Sequence, residues 1–225
     1  MQNPVDPEVL KTLETVPSPA IANGIEVFDI RPRNEGFMSA DIACRFPDLP
    51  PMVGYAVTAK IRAAEKPAEG QAVPRKEMWE HILSIPEPRI VVIEDLDDPP
   101  VGSFWGEVNA NIHRALGCIG TVTNGGVRDL DEVHALGFHF FSAQIQVSHA
   151  YVHVVEVGTP VSVGGLTVNP GDLLHGDKHG ICEIPHEIAD KLYDGVKQVE
   201  EREAKIIETC QRPDFTIEKL SQLYG

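Results

Sequence analysis

Three side chains with complementary chemistry stand close together in the sequence: Glu107, Arg128 and Asp129. The planar guanidinium of Arg128 suits an anion, which it can hold through two parallel hydrogen bonds. The carboxylate of Asp129 is a hard oxygen ligand of the kind that divalent cations prefer. With added water molecules, the carboxylates of Glu107 and Asp129 would form an oxygen environment for Mg²⁺ or Mn²⁺. The set therefore predicts a site for a metal ion and a small anionic substrate.

The elements that must position these side chains all lie within Gly102–Asp129. A glycine-punctuated loop leads into an amphipathic helix over Glu107–Leu116, and a β-branched strand follows over Ile119–Thr123. A glycine turn at Asn124–Gly126 would then deliver the arginine and the aspartate. Because a strand that follows a helix packs back along it, we expect the residues after the strand to lie near the start of the helix.

The start of this helix, Gly106 to Asn109, is a second candidate for anion binding. The N–H groups of a first helical turn have no intrahelical acceptors and favour a carboxylate or phosphate. Each feature also has an ordinary structural explanation. Glu107 would complement the helix dipole, Asp129 would cap the helix that begins at Leu130, and Arg128 would form a surface ion pair.

The remaining pattern predicts an α/β fold in a single domain over residues 1–225. Apolar and β-branched runs predict strands at Met52–Arg62, Arg89–Asp95 and Phe138–Val147, and helical spacing separates them. This alternation favours parallel strands joined by helical crossovers. Residues 152–184 are typical of a meander of short strands. The core would cover about residues 17–185, and a helical extension would cover about 186–225.

Composition narrows the classes of partner. The formal net charge is −15 and the sequence pI is about 4.9, which argues against binding of nucleic acid or an anionic membrane surface. The four cysteines are scattered and form no C-x-x-C pair, so a zinc knuckle is not expected. We find neither a signal peptide nor an apolar run of about 18 residues, and we expect a cytoplasmic protein.

The motif G-E-V-N, followed after the helix by G-T-V-T-N-G-G-V-R-D, resembles the ribonuclease activity regulator A-like superfamily, and so does the later V-N-P-G-D-L-L-H-G-D-K-H-G-I-C-E-I-P. The resemblance covers about Pro17 to Pro185. It implies a three-layer swivelling β/β/α sandwich, here with extra N- and C-terminal helices. It also implies a homotrimer or homohexamer with sites near subunit interfaces.

The resemblance further implies a role for each candidate residue. Asp129 would bind Mg²⁺ or Mn²⁺ directly, and Glu107 would hold it through water. Arg128 would bind a small keto-acid, whose carboxylate would meet the backbone of Gly106, Glu107, Val108 and Asn109. An acid from the C-terminal region of a neighbouring chain would complete the site, and the candidates here are Glu200, Glu201 and Glu203.

Several features depart from the family pattern, among them Asn109 in place of a commonly apolar residue and a longer C-terminus, and two more concern charge. Asn124-Gly125 stands where many members have Asp-Gly, which removes one charge near the metal. The segment His175–His179 is more basic than the usual acidic stretch, and we interpret it as a solvated turn whose role is open.

The resemblance implies a divalent-metal-dependent aldolase or lyase that cleaves a 4-hydroxy-2-oxo acid to pyruvate and can also decarboxylate oxaloacetate. One alternative is a non-catalytic protein inhibitor of an RNA-degrading endonuclease, since an acidic surface suits a basic partner. Another is a metal-dependent lyase or hydrolase that acts on a different small hydroxy- or keto-acid. The presence of Asp129 favours the enzyme, because the inhibitor branch tends to lose this acid.

Overall fold

The computed structural model describes residues 4–224, so residues 1–3 and 225 of the predicted domain lie outside the described residues. The helices are α1 Pro7–Leu13, α2 Ser18–Glu26, α3 Arg75–Ser84, α4 Glu107–Ala115, α5 Leu130–Ala135, α6 Leu192–Gln211 and α7 Ile217–Ser221, and a 3₁₀ helix at His186–Lys191 precedes α6. The strands are β1 Ala43–Cys44, β2 Met52–Arg62, β3 Arg89–Asp95, β4 Ser103–Trp105, β5 Cys118–Val127, β6 His139–Ile145, β7 His153–Val157, β8 Val161–Val163, β9 Leu166–Val168, β10 Leu173–Asp177 and β11 Gly180–Ile184.

Parallel strands form the centre of the main sheet. Within residues 4–224 its main path runs β1-β6-β5-β3-β2-β10-β11, with β4 paired to β5 and β7 paired to β2. The pairs β2–β3, β3–β5, β5–β6 and β4–β5 are parallel, whereas β1, β7 and β10 join their neighbours antiparallel. The carboxyl ends of the central strands therefore meet at one edge, where an α/β sheet usually binds its ligands.

The two faces of the sheet carry separate apolar cores. On one face the helices pack against alternate strand residues such as Val57, Val91 and Phe140. On the other face the small β8–β9 sheet covers Ala56, Val92 and their neighbours. The order is thus helices, main sheet, small sheet, which confirms the predicted α/β fold with three β/β/α layers and helical ends. No helix within residues 4–224 combines the length and the apolar character that crossing a membrane requires.

The strands predicted at Met52–Arg62 and Arg89–Asp95 have those bounds in the structure. The turn predicted at Asn124–Gly126 is wrong, because β5 continues through these residues to Val127. The glycines serve close lateral packing instead of a bend. A Cβ on Gly125 would lie 2.9 Å from an Asp95 carboxylate oxygen, and one on Gly126 would lie 2.6 Å from Cγ of Gln146.

Candidate functional site

The junction of β4 and α4 lies beside the end of β5. Strand β4 pairs with β5, and the Arg128 N–H donates to the Trp105 carbonyl at 3.1 Å. This pairing places Gly106, the residue before α4, against Asp129. Gly106 has an extended backbone, with φ −167°, so its conformation does not require glycine. Space does, because a Cβ there would overlap the Asp129 carboxylate.

Asp129 occupies an uncommon backbone conformation, the left-handed region at φ +56° and ψ +48°. It precedes α5 at the cap position but makes no side-chain cap to that helix. Its Oδ2 instead accepts a hydrogen bond of 2.9 Å from the Glu107 N–H, the first amide of α4. The carboxylate therefore satisfies the start of the other helix, and it lies 3.8 Å from Nε of Arg128.

A cleft of about 400 Å³ opens at this junction. Among the predicted site residues, Gly106, Val108, Asn109, Arg128 and Asp129 all line it. Glu107 is exposed and is not among the lining residues, although its amide contacts Asp129. None of Glu200, Glu201 and Glu203 lines the cleft of its own chain, and all three are exposed on α6.

Sequence reasoning missed four polar residues of this cleft: Arg75, Ser103, His149 and Tyr151. Arg75 is the first residue of α3, and the structure shows no ion pair for it among the described residues. His149 and Tyr151 lie between β6 and β7. No local sequence pattern places these residues at the site, because they reach the cleft only through the topology of the sheet.

Asn109 and His113 brace the start of α4 from the inside. The Asn109 side chain donates to the Phe104 carbonyl, and Nδ1 of His113 lies 2.7 Å from the Asn109 carbonyl. Because a carbonyl oxygen only accepts, Nδ1 of His113 carries the proton. Burial lowers the pKa of His113 to about 4, so the ring is neutral near pH 7.

Asn124, which stands in place of the family's aspartate, links β5 to β3. Its Oδ1 accepts from the Asp95 N–H at 2.7 Å, and its Nδ2 donates to the Asp95 carbonyl at 2.9 Å. The Asp95 side chain is itself buried, and Oδ2 has no hydrogen-bond partner among the described residues. Burial raises the pKa of Asp95 to about 6.

One carboxylate at the cleft, that of Asp129, has the chemistry of a magnesium ligand. Among residues 4–224 no three His, Cys, Asp or Glu side chains cluster closely enough to hold a metal between them. Mg²⁺ commonly takes only one or two protein carboxylates and completes its shell with water and substrate oxygens. Asp129, with one hydrogen bond to Oδ2, supplies such a ligand at the cleft wall.

The prediction that His175–His179 forms a solvated turn is wrong for most of the segment. His175 lies in β10 and is fully buried, with Nδ1 2.9 Å from the Ser18 hydroxyl and Nε2 3.2 Å from the Leu13 carbonyl. Asp177 is also buried, and it accepts from the Ser18 N–H. This strand pairs with the start of β2, at the sheet edge opposite Arg128.

Comparisons with known proteins agree with this architecture. The chain is 25% identical over 150 residues to protein DlpA of Legionella pneumophila. This match covers 64% of this chain and 23% of that protein. It is 28% identical over 99 residues to a putative 4-hydroxy-4-methyl-2-oxoglutarate aldolase of Halalkalibacterium halodurans, which covers 44% of this chain and 47% of that protein. The chain thus spans less than half the length of both curated relatives.

A crystal structure of Streptomyces coelicolor RraAS2, named an unusual member of the RNase ES inhibitor RraA protein family, superposes with a TM-score of 0.70 at 19% identity. The match covers 94% of this chain and 100% of that one. At this identity the likeness shows the fold alone. A model of the RraA-like family, described as Aldolase/RraA, matches residues 22–182, more than half of the chain, and confirms the resemblance predicted from the motifs. The chain therefore belongs to the RraA-like family.

Proposed function

We propose that this protein is a divalent-metal-dependent lyase that cleaves a 4-hydroxy-2-oxo acid to pyruvate and decarboxylates oxaloacetate. The observation that carries the proposal is the meeting of Asp129, Arg128 and the first turn of α4 at one cleft. A 2-oxo acid bound to a metal requires three groups: an anionic oxygen for the cation, a guanidinium for the anion, and free helix amides for the carboxylate.

Asp129 would bind the ion directly and Glu107 would hold it through water. Mg²⁺ or Mn²⁺ bound there would supply Lewis-acid polarisation of the C2 keto oxygen. Arg128 would donate to the same end of the substrate and stabilise negative charge as it develops on that oxygen. The amides of Val108 and Asn109 would bind the C1 carboxylate, because the Glu107 amide is already bonded to Asp129.

The second half of the substrate would extend towards Arg75. This side chain lies on the same cleft and has no ion-pair partner among the described residues, in a chain with a net charge of −15. A second carboxylate on the substrate would give it one. A 4-hydroxy-2-oxo diacid therefore fits the cleft better than a 4-hydroxy-2-oxo monoacid.

The test is pyruvate release from 4-hydroxy-4-methyl-2-oxoglutarate and from oxaloacetate, with Mg²⁺ or Mn²⁺ and with EDTA, after subtraction of the protein-free rate. We expect activity with the metals, loss of activity with EDTA, and a decrease of more than about 100-fold in Asp129→Asn. Equal rates in chelator, or a fully active Asp129→Asn, would contradict the proposal.

We propose a trimer or hexamer as the working assembly, with Glu200, Glu201 or Glu203 of one chain reaching the cleft of another. These residues are exposed on the half of α6 that extends beyond its buried positions, which end at Val199. Light scattering gives the assembly directly. Single Glu→Gln variants at the three positions would identify the contributing residue by its loss of activity.

The acidic net charge favours a second candidate, a protein that docks on a basic RNA-degrading endonuclease. A pull-down with purified nuclease and an RNA-cleavage assay test it. Tight binding and inhibition, without turnover of any keto-acid, would replace the lyase by this function.

A further inference from the structure

Cleavage of a 4-hydroxy-2-oxo acid requires a group that takes the proton of the C4 hydroxyl, and the assigned residues that line the cleft, which do not include Glu107, offer no free base. Arg128 and Arg75 are donors only, and Asp129 is committed to the Glu107 amide and the predicted ion. The other proton acceptors among the described cleft-lining side chains are His149 and Tyr151. Imidazole is the side chain that most often serves as a base near neutral pH.

One contact of the His149 ring decides which of its nitrogens is free to accept a proton. Its Nδ1 lies 2.7 Å from the Ala150 carbonyl oxygen, which can only accept, so Nδ1 carries the proton in the neutral ring. Nε2 is then the nitrogen with the free lone pair, on a side chain that is exposed at the cleft.

The backbone around His149 is fixed against the strand that leads into α4. The Ser103 N–H donates to the Ser148 carbonyl at 3.0 Å, and the Ala150 N–H donates to the Ser148 hydroxyl at 3.0 Å. A Cβ on Gly102 would lie 2.6 Å from the His149 carbonyl oxygen, so the glycine permits this close approach.

Ala150 has φ +45°, a conformation that a non-glycine residue keeps only where its surroundings impose it, and such residues cluster at functional sites. These contacts fix the backbone that carries the exposed imidazole at the cleft wall. The charged and titratable groups that line the cleft with it are Arg75 from α3, Arg128 and Asp129 from the β5–α5 junction, and Tyr151 from its own loop.

We propose that His149 is the general base of the cleavage reaction, an inference that rests on the proposed function. Nε2 takes the proton of the C4 hydroxyl, the C4–O bond becomes a carbonyl, and the C3–C4 bond breaks. The electron pair of that bond forms the enolate of pyruvate, and the C4 half leaves as a second carbonyl compound. The proton taken up by Nε2, or one from water, then adds to C3 and gives pyruvate. Decarboxylation of oxaloacetate breaks the same bond into the same enolate but has no hydroxyl proton to remove, so it does not need this base.

This difference between the two reactions provides the experiment. The variant is His149→Gln, and the matched control is His153→Gln. His153 is a nearby histidine whose Nδ1 also contacts a backbone carbonyl, that of Tyr151 at 2.9 Å, but it is not among the residues that line the cleft. We expect His149→Gln to lower kcat for the 4-hydroxy-2-oxo acid by about 100-fold or more and to change oxaloacetate decarboxylation by less than about threefold.

The control variant should change neither reaction by more than about threefold. Added imidazole should restore part of the cleavage activity of His149→Ala, a rescue that a purely structural role would not give. Equal losses in both reactions, or unchanged cleavage in His149→Gln, would overturn the assignment. A wild-type protein that releases pyruvate from neither substrate would instead refute the proposed function, whatever the variants do.

Discussion

Asp129 has an observed structural role and a proposed chemical role, and one pair of substitutions can separate them. Its carboxylate accepts the Glu107 N–H at 2.9 Å, and its backbone lies in the left-handed region. Asparagine retains an acceptor oxygen of the same reach and tolerates this backbone, whereas alanine does neither. Loss of the hydrogen bond to the helix amide costs about 1 kcal/mol, and placing alanine in the left-handed region costs about 1 kcal/mol more.

We therefore expect Asp129→Ala to lower the free energy of unfolding by about 2 kcal/mol. For a chain of this length each kcal/mol shifts the Tm by about 2–4 °C, so the Tm should fall by about 4–8 °C. Asp129→Asn should stay within about 0.5 kcal/mol of wild type, because its side chain is partly exposed and keeps the cap. Both variants should lose pyruvate-releasing activity, since neither has the charge.

The assay is thermal denaturation followed by circular dichroism in EDTA, at equal protein concentration, with pyruvate release measured separately with Mg²⁺. If Asp129→Ala melts at the same temperature as Asp129→Asn, the carboxylate does not stabilise the start of α4. If Asp129→Asn keeps its activity, the charge at this position has no chemical role.

Three further predictions concern the cleft and the elements around it. Arg75→Gln should lower kcat/KM for a 4-hydroxy-2-oxo diacid by about 10- to 100-fold relative to the corresponding monoacid. The control Lys76→Gln changes an exposed neighbour that pairs with Glu80, and it should leave the ratio of the two kcat/KM values unchanged. Equal effects of Arg75→Gln on both acids would show that Arg75 does not bind the second carboxylate. Gly126→Ala should lower the free energy of unfolding, measured by urea denaturation, by about 1–3 kcal/mol, because the added Cβ would lie 2.6 Å from Cγ of Gln146. An unchanged denaturation midpoint would show that the Gln146 side chain moves aside at little cost. The pKa of His113 falls from 6.5 to about 4 on folding, so the unfolded chain binds more protons than the folded chain between these pH values. The free energy of unfolding should therefore decrease by up to about 3 kcal/mol as the pH falls from about 6.5 to 4. The variant His113→Phe should flatten this part of the pH profile of stability.

Local sequence patterns predicted the central strands, but they did not predict why strand β5 contains glycines. Strand β3 is a continuous apolar run, because it is buried on both faces, and its bounds follow from the sequence. Strand β5 ends in Asn124-Gly125-Gly126, which looks like a turn. The glycines leave room for Asp95 of β3 and for Gln146, the residue after β6, and this is a tertiary contact that no local pattern contains.

The site residues also divide into those that a local motif predicts and those that only the tertiary structure brings together. Gly106, Val108, Asn109, Arg128 and Asp129 lie within one helix–strand unit, so their motif sufficed to place them together. Arg75 and His149 come from separate parts of the chain and reach the cleft only through the order of the strands.

His175 illustrates the opposite error. Its polar neighbours predicted a solvated turn, but Ser18 and Leu13 satisfy both ring nitrogens in the interior.

The hydrogen bond between Asp129 and the Glu107 amide also bears on how this position can change in sequence. Under the proposed function, selection for folding and selection for metal chemistry act on the same side chain, but they set different requirements. Folding requires an acceptor oxygen on a residue that tolerates φ +56°, and aspartate and asparagine both provide it. Metal chemistry requires the negative charge. An aspartate here is therefore compatible with a protein that has lost its activity, whereas replacement by asparagine would mark the loss of chemistry with the fold retained.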